Sequence, residues 1–197
     1  SLRTFYKYFY IREAITYNPV ELVPMPKLHE KNIVRLDADE VVDLLNHVES
    51  GTLLTRKQMS FHEKSKIRDL ALMTLLLGTG IRVSECVGLN IRDVDFKNDC
   101  ISIFRKGGKE STVYFGDEVE DALKDYLVER ELIDAAEGHE DALFLSSQKK
   151  RMSVRAVENL VKKYTRTVTG KNITPHKLRS TYGTSLYRET GDIYLVA

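Results

Sequence analysis

The sequence predicts a mainly α-helical domain with one small antiparallel β-sheet, an α+β fold, and three observations carry that expectation. Apolar residues recur at helical spacing in long stretches on either side of the middle of the chain. Between those stretches lie three short β-branched and aromatic runs: Val94 to Phe96, Ile101 to Phe104 and Thr112 to Phe115. Asn98-Asp99 and Gly107-Gly108 separate these runs as hairpin turns, which makes the strands antiparallel neighbours. There is no internal repeat.

Taken in order, Leu2 to Ile15 carries Phe5, Tyr6, Phe9 and Tyr10 at helix-compatible spacing. Pro19, Pro24 and Pro26 follow within eight residues, and proline biases its predecessor away from helix, so an extended linker runs to about Lys31. The chain therefore divides into residues 1–30, a helix and linker, and a main domain, 31–197. Asp37-x-x-Glu40 resembles a capping box and opens a helix whose apolar face is Val41, Leu44, Leu45 and Val48. Gly51 to Met59 is polar and irregular. Ser60-x-x-Glu63 is expected to cap the next helix, through Ile67, Leu70, Ala71, Thr74 and Leu77, which ends at Gly78 or Gly80. That helix is apolar nearly all round and belongs in the core. A short helix bearing Val83 and Val87 leads into the sheet. Val119 to Leu132 returns to helix, Leu143 to Leu145 is a short extended piece, and Val154 to Val168 and Pro175 to Arg188 are helices.

With 197 residues and 42% hydrophobic content, the chain has enough material for one sizeable core and a fragment of a second unit. Cys86 and Cys100 show no metal or redox spacing and are expected as reduced, buried thiols. No signal peptide is visible, and the most apolar run, Leu70 to Leu77, is too short to cross a bilayer, so a cytoplasmic protein is expected. The net charge of +1 hides a segregation. Glu110 to Leu143 holds twelve acidic and two basic residues, net −10, whereas Leu145 to Thr190 holds eleven basic and two acidic, net +9. Phosphate backbones respond to the local field, so a basic C-terminal third is compatible with nucleic-acid binding, and equally with solvated helical faces.

The residues that carry chemistry are cations on separate elements. They lie in Gly80-Ile81-Arg82-Val83-Ser84-Glu85, in the Lys106-Gly107-Gly108-Lys109 turn, and in His176-Lys177-Leu178-Arg179. Arginine offers a planar fork of donors that matches phosphate oxygens and never loses its charge, so such a set suits one phosphate gripped from several sides. Each piece alone has a plain structural use. Arg82 and Glu85 could be a helix surface pair, Lys106 a solvated turn lysine, His176 a satisfied structural histidine. Thr174 and Pro175 suit the start of a helix, which sets His176 and Arg179 on one face near its N-terminus. No metal-ligand cluster and no cofactor motif accompanies them, so no metal and no cofactor is expected.

Together, in this order and spacing, these pieces resemble the catalytic domain of the tyrosine recombinases, the Xer and phage-integrase family, over about residues 31 to 197. The resemblance implies the DNA breaking-rejoining fold and site-specific recombination or integration through a 3′-phosphotyrosyl intermediate, without metal. It implies that Arg82 and Arg179 clamp the phosphate oxygens, that Lys106 serves the leaving 5′-oxygen, and that His176 assists the tyrosine as base. Glu85 and Lys109 support them. Double-stranded DNA is the implied partner, with Lys149, Lys150, Arg151, Arg155 and Lys177 as candidate contacts, and a homotetramer on DNA the implied assembly. Residues 1–30 then read as the last helix of an N-terminal core-binding domain plus its linker. Many members have a second histidine directly after the arginine, where this chain has Ser180. The family's nucleophilic tyrosine, and the histidine or tryptophan before it, follow the H-x-x-R helix, and neither appears before Ala197. The expectation is a chain truncated at both ends that binds DNA and does not cut it. A non-catalytic DNA-binding module and a type IB topoisomerase-like enzyme are the alternatives, the second disfavoured by the compact Xer-like spacing.

Overall fold

The computed structural model describes residues 2–24, 34–105 and 107–191, which fall into two compact units, Ser1–Ile33 and Val34–Ala197. In the first unit, helix α1 spans Leu2–Ile11 and buries no residue. It ends four residues before Ile15. Glu13 takes a left-handed φ of 56°, and the Ala14 amide reaches back to the Phe9 carbonyl at 3.0 Å, which closes the helix as a Schellman-type turn.

The second unit is built on α4, Lys66–Thr79, whose buried residues include Ala71, Leu72, Met73, Leu75 and Leu76. Around it pack α2, Ala38–Ser50, α6, Asp117–Glu131, and α8, Pro175–Thr190; α7, Val154–Thr169, packs on α2 and on the short α5, Val83–Gly88. Leu44 and Val48 of α2 are buried as their spacing predicts, and the Asp37 amide donates to Glu40 Oε2 at 2.9 Å. The segment before α4 differs from expectation. Arg56–His62 forms helix α3, with Ser60 inside it, so Ser60 caps nothing and Ser65 stands before α4. The cap that decides this is Thr55-x-x-Gln58, where the Gln58 amide donates to Thr55 Oγ1 at 3.4 Å and the Thr55 amide to Gln58 Oε1 at 3.0 Å. No helix among the described residues is long and apolar enough to cross a membrane.

After α5 and a single 3₁₀ turn at Ile91–Asp93 comes the sheet: β1, Val94–Asp95, β2, Cys100–Phe104, and β3, Glu110–Tyr114, antiparallel in that order. Ile101 pairs with Val113, and Ile103 with Ser111. Gly107 and Gly108 close the second hairpin at φ 94° and 75°, conformations that side-chain-bearing residues avoid. Leu143–Leu145 forms no strand; Leu145 makes an isolated bridge with Arg151, and Ala142, just before the segment, makes one with Asn90. Cys86 and Cys100 are free and buried, and burial pushes the Cys86 thiol up to about 12.

Buried loop backbone needs partners, and α6 supplies them. Tyr126 Oη donates to the Leu143 carbonyl at 3.0 Å, and Arg130 donates to the carbonyls of Ala142 at 3.1 Å and Glu140 at 2.8 Å. Asp69, 2% exposed, anchors the other side. Its carboxylate accepts from Arg68 at 2.6 Å and from the Tyr164 hydroxyl at 2.9 Å, which ties α4 to α7. Burial, and then the Asp69 charge, hold the Tyr164 hydroxyl well above its ordinary range, so it stays a donor.

Gly80 ends α4 in the left-handed conformation, φ 60°, and a Cβ there would run into the Tyr182 ring of α8. Arg179, three residues earlier on α8, donates to the Gly80 carbonyl. Only glycine satisfies both the backbone and the ring. These contacts make three stability predictions. Asp69→Ala leaves the buried Tyr164 hydroxyl unpaired and the half-buried Arg68 with only the Leu145 carbonyl, and should lower urea-unfolding stability by roughly 3–5 kcal/mol. Tyr164→Phe should cost about 1 kcal/mol. Gly80→Ala should cost roughly 2–5 kcal/mol from left-handed strain plus overpacking. Gly138, at φ 79° with open space around its Cβ position, isolates the backbone part. Equal losses for Gly80→Ala and Gly138→Ala would mean that the Tyr182 contact has no weight.

Candidate active site

Arg82 stands immediately before α5, in extended backbone at ψ 148°. Its amide donates to Glu85 Oε2 at 2.7 Å, and its Nη1 donates to Glu85 Oε1 at 2.8 Å. The Glu85 side chain is 5% exposed and that of Arg82 55% exposed. One buried carboxylate therefore fixes both the backbone and one edge of the fork, while the rest of the guanidinium faces solvent. The pairing between Arg82 and Glu85 that the spacing suggested is present.

At the start of α8, Thr174 precedes Pro175 at the first turn, so the missing proline amide costs no helical hydrogen bond. His176 is exposed, and Arg179 is half-buried with one fork nitrogen on the Gly80 carbonyl. Both line a cleft of about 650 Å³. It is lined further by Thr79, Gly80 and Ile81 at the end of α4, by Ser180, Tyr182, Gly183, Thr184 and Tyr187 of α8, and by Arg105, Thr112 and Val113 of the β2–β3 hairpin. Arg35 completes it. Arg82 follows the lining residue Ile81 but does not itself line the cleft, and its Nη1 is held by Glu85. Three arginines and one histidine line the cleft, and no carboxylate does among the described residues. An unbalanced cationic concavity of this kind favours an anion.

Lys106 lies outside the described residues. Its hairpin is fixed on either side, because the Arg105 amide donates to the Lys109 carbonyl at 2.8 Å and the Gly108 amide to the Arg105 carbonyl at 3.1 Å. Lys109 is exposed on that turn and does not line the cleft. The candidate DNA contacts separate. Lys149, at φ 61° in a tight turn, and Lys150 are exposed. Arg155 is exposed with a loose 3.4 Å pair to Glu158, and Lys177 Nζ donates to the Asn172 carbonyl at 2.5 Å. Arg151 is already engaged within the fold. Its guanidinium donates to the carbonyls of Val87 at 3.0 Å and Leu89 at 2.7 Å and to Asn90 Oδ1 at 2.6 Å, so it closes the end of α5. Those oxygens lack helical partners, and the planar fork supplies them.

Sequence reasoning missed Arg35 and Arg105 as lining residues. Arg105 stands next to the glycine turn, where its own position in the hairpin was a usable signal. Arg35 had none, because its place depends on Lys171, which donates to its carbonyl, and on Thr181, which accepts from the next amide, Leu36.

Residues 34–197 match the phage integrase family. The chain is similar to tyrosine recombinase XerC of Caldanaerobacter subterraneus subsp. tengcongensis, 37% identical over 193 residues that make up 95% of this chain and 49% of that protein. It is also similar to tyrosine recombinase XerS of Streptococcus agalactiae, 35% identical over 164 residues, 81% of this chain and 46% of that one. The chain thus spans about half the length of these relatives. Among solved structures, the XerA recombinase superposes with a TM-score of 0.70 at 27% identity, covering 99% of this chain and 63% of that one. The Tn1549 transposon integrase, bound to transposon right end DNA, shares the fold with a TM-score of 0.72 at 22% identity, covering 99% of this chain and 67% of that one. The mostly helical domain with its three-stranded sheet, the H-x-x-R pair in the cleft and these likenesses agree, and the chain belongs to the phage integrase family, with residues 34–197 a tyrosine recombinase catalytic domain.

Proposed function

We propose that this chain is the catalytic portion of a site-specific DNA recombinase that cuts and rejoins strands through a 3′-phosphotyrosyl link, without metal. The observation that carries the reading is the cleft in which His176 and Arg179 face the same space as two further arginines with no lining carboxylate. As tyrosine oxygen attacks a phosphodiester, charge grows on the non-bridging oxygens, and donors already held in place stabilise that state more than the ground state. Arg179 is held by the Gly80 carbonyl and Arg82 by Glu85, each with fork nitrogens left over for an oxyanion. His176 accepts the tyrosine proton, and Lys106 gives one to the leaving 5′-oxygen. Glu85 and Lys109 position their neighbours.

The energy of the broken bond stays in the phosphotyrosyl link, so the 5′-hydroxyl of a second strand reverses the step with no added nucleotide. Support for DNA as partner comes from relatives: the XerH recombinase is known bound to its difH substrate. We extend the reading to Lys149, Lys150, Arg155 and Lys177 as backbone contacts, to a tetramer on DNA, to a bacterial cytoplasmic setting, and to residues 1–30 as the end of a core-binding domain with its linker. The attacking tyrosine is proposed to follow the H-x-x-R helix in a segment after Ala197, so the 197 residues alone bind DNA and leave it uncut.

Two measurements test this. Each phosphate contact releases counterions, so the logarithm of duplex affinity should fall by roughly 0.9 per contact per logarithmic unit of salt. A flat titration from low to moderate salt would end the proposal. In a chain extended through the tyrosine, Arg82→Ala and Arg179→Ala should each slow cleavage of a suicide substrate on the order of 10²–10³-fold or more, with circular dichroism unchanged. Cleavage within a few-fold of the parent for both variants would remove these arginines from the site.

A further inference from the structure

Arg35 shares the cleft with His176 and Arg179, yet the family resemblance gives it no role. Its main chain is held on both sides by the segment that leads into and forms α8. The Leu36 amide donates to Thr181 Oγ1 at 3.1 Å, and that hydroxyl in turn donates to the Lys177 carbonyl at 3.0 Å. Lys171 Nζ donates to the Arg35 carbonyl at 3.3 Å and to Glu40 Oε2 at 2.7 Å. Leu36 itself is 3% exposed, so the chain is pinned immediately beyond the arginine. The helix that carries His176 and Arg179 therefore also sets where the Arg35 side chain starts.

Among the described residues the side chain has no structural partner. Arg68, Arg130 and Arg151 each donate to two or more carbonyl or side-chain oxygens of the fold. The Arg35 guanidinium makes no hydrogen bond and no ion pair with any described residue. A planar cation on a fixed backbone, lining a cleft and without a partner among the described residues, is arranged for an external anion. Charge points the same way. Arg82 is balanced by Glu85, but Arg35, Arg105 and Arg179 have no carboxylate among the described lining residues. A single phosphodiester brings one negative charge, which leaves such a cleft strongly positive. Consecutive phosphates of one strand would balance it.

We propose that Arg35 is a further phosphate-binding residue, gripping a DNA phosphate other than the one Arg179 grips. This rests on the DNA-binding reading above. Its function is positional: two arginines anchored to one helix and holding two phosphates fix the register of the strand along the cleft. Arg105, at the hairpin, has no such anchorage to α8 among the described residues.

Fluorescence anisotropy with the 197-residue chain and a short mixed-sequence duplex tests it, with the slope of log affinity against log salt as the readout. The slope counts neutralised phosphates, so Arg35→Ala should reduce it by roughly 0.9, and Arg179→Ala by a similar amount. The double variant should lose roughly twice as much, because two arginines on different phosphates count separately. Arg35→Lys should keep the slope and weaken binding, since a point charge replaces the fork. Arg35→Gln should match Arg35→Ala, and urea midpoints of the single Arg35 variants should equal the parent's, as that side chain bonds to no described residue. A steep parental slope that Arg35→Ala leaves unchanged overturns this inference and spares the DNA reading. A double variant that loses no more than Arg179→Ala alone also overturns it, because both arginines would then share one phosphate. A flat slope for the unaltered chain overturns the DNA reading itself.

Discussion

The seating of the Tyr182 ring on Gly80 is the contact from which the site takes its shape. A helix as apolar as α4 has to end somewhere inside the fold, and a left-handed glycine ends it within one residue. Because that glycine has no Cβ, α8 can lay an aromatic ring against the turn. The same approach brings the Arg179 fork onto the Gly80 carbonyl, two residues before Arg82. Two arginines 97 positions apart in sequence thereby meet the same stretch of backbone. One glycine sets helix length, interhelical distance and the spacing of the cations.

Arginines do two kinds of work in this domain, and their partners tell them apart. Arg68, Arg130 and Arg151 satisfy carbonyls of buried loops and helix ends, where a missing donor would be costly. Arg82 and Arg179 have one anchoring acceptor each and a remainder that points outward. That division has a physical basis. A fork wholly occupied within the protein has nothing to offer a ligand, and one with no anchor loses rotamer freedom on binding. A single internal acceptor fixes orientation while keeping donors available, which is the arrangement expected where charge develops transiently.

The polar core under α7 supports this from behind. Asp69 gathers Arg68 and Tyr164 at one buried point, and α4 cannot slide against α7 without breaking the bond to the Tyr164 hydroxyl. Nearby, His47 and His62 meet the Tyr164 ring edge-on. Burial, followed by the charges of His62 and Lys163, lowers the affinity of His47 for a proton. Its neutral form is thus favoured in the folded state, a contribution present above its ordinary unfolded value and lost as the pH falls below it.

Much of the fold was legible because its signals are local. The Asp37-x-x-Glu40 cap, the apolar face of α2, the all-round apolarity of α4 and the paired glycines of the second hairpin depend on residues a few positions apart. The Ser60 cap misled because two cap signals overlapped, and Thr55-x-x-Gln58, which lay in a stretch read as irregular, won. For the site, sequence order identified His176, Arg179 and the Arg82–Glu85 pair, since their motif spacing is itself the signal. Tertiary structure alone decided the rest. Whether an arginine is scaffold or site depends on which distant oxygens surround it, so Arg151 and Arg35 look alike in sequence and differ in the fold. Composition and motif specify which groups are available; hydrogen bonds across 62 to 145 residues specify which of them remain free to meet a ligand.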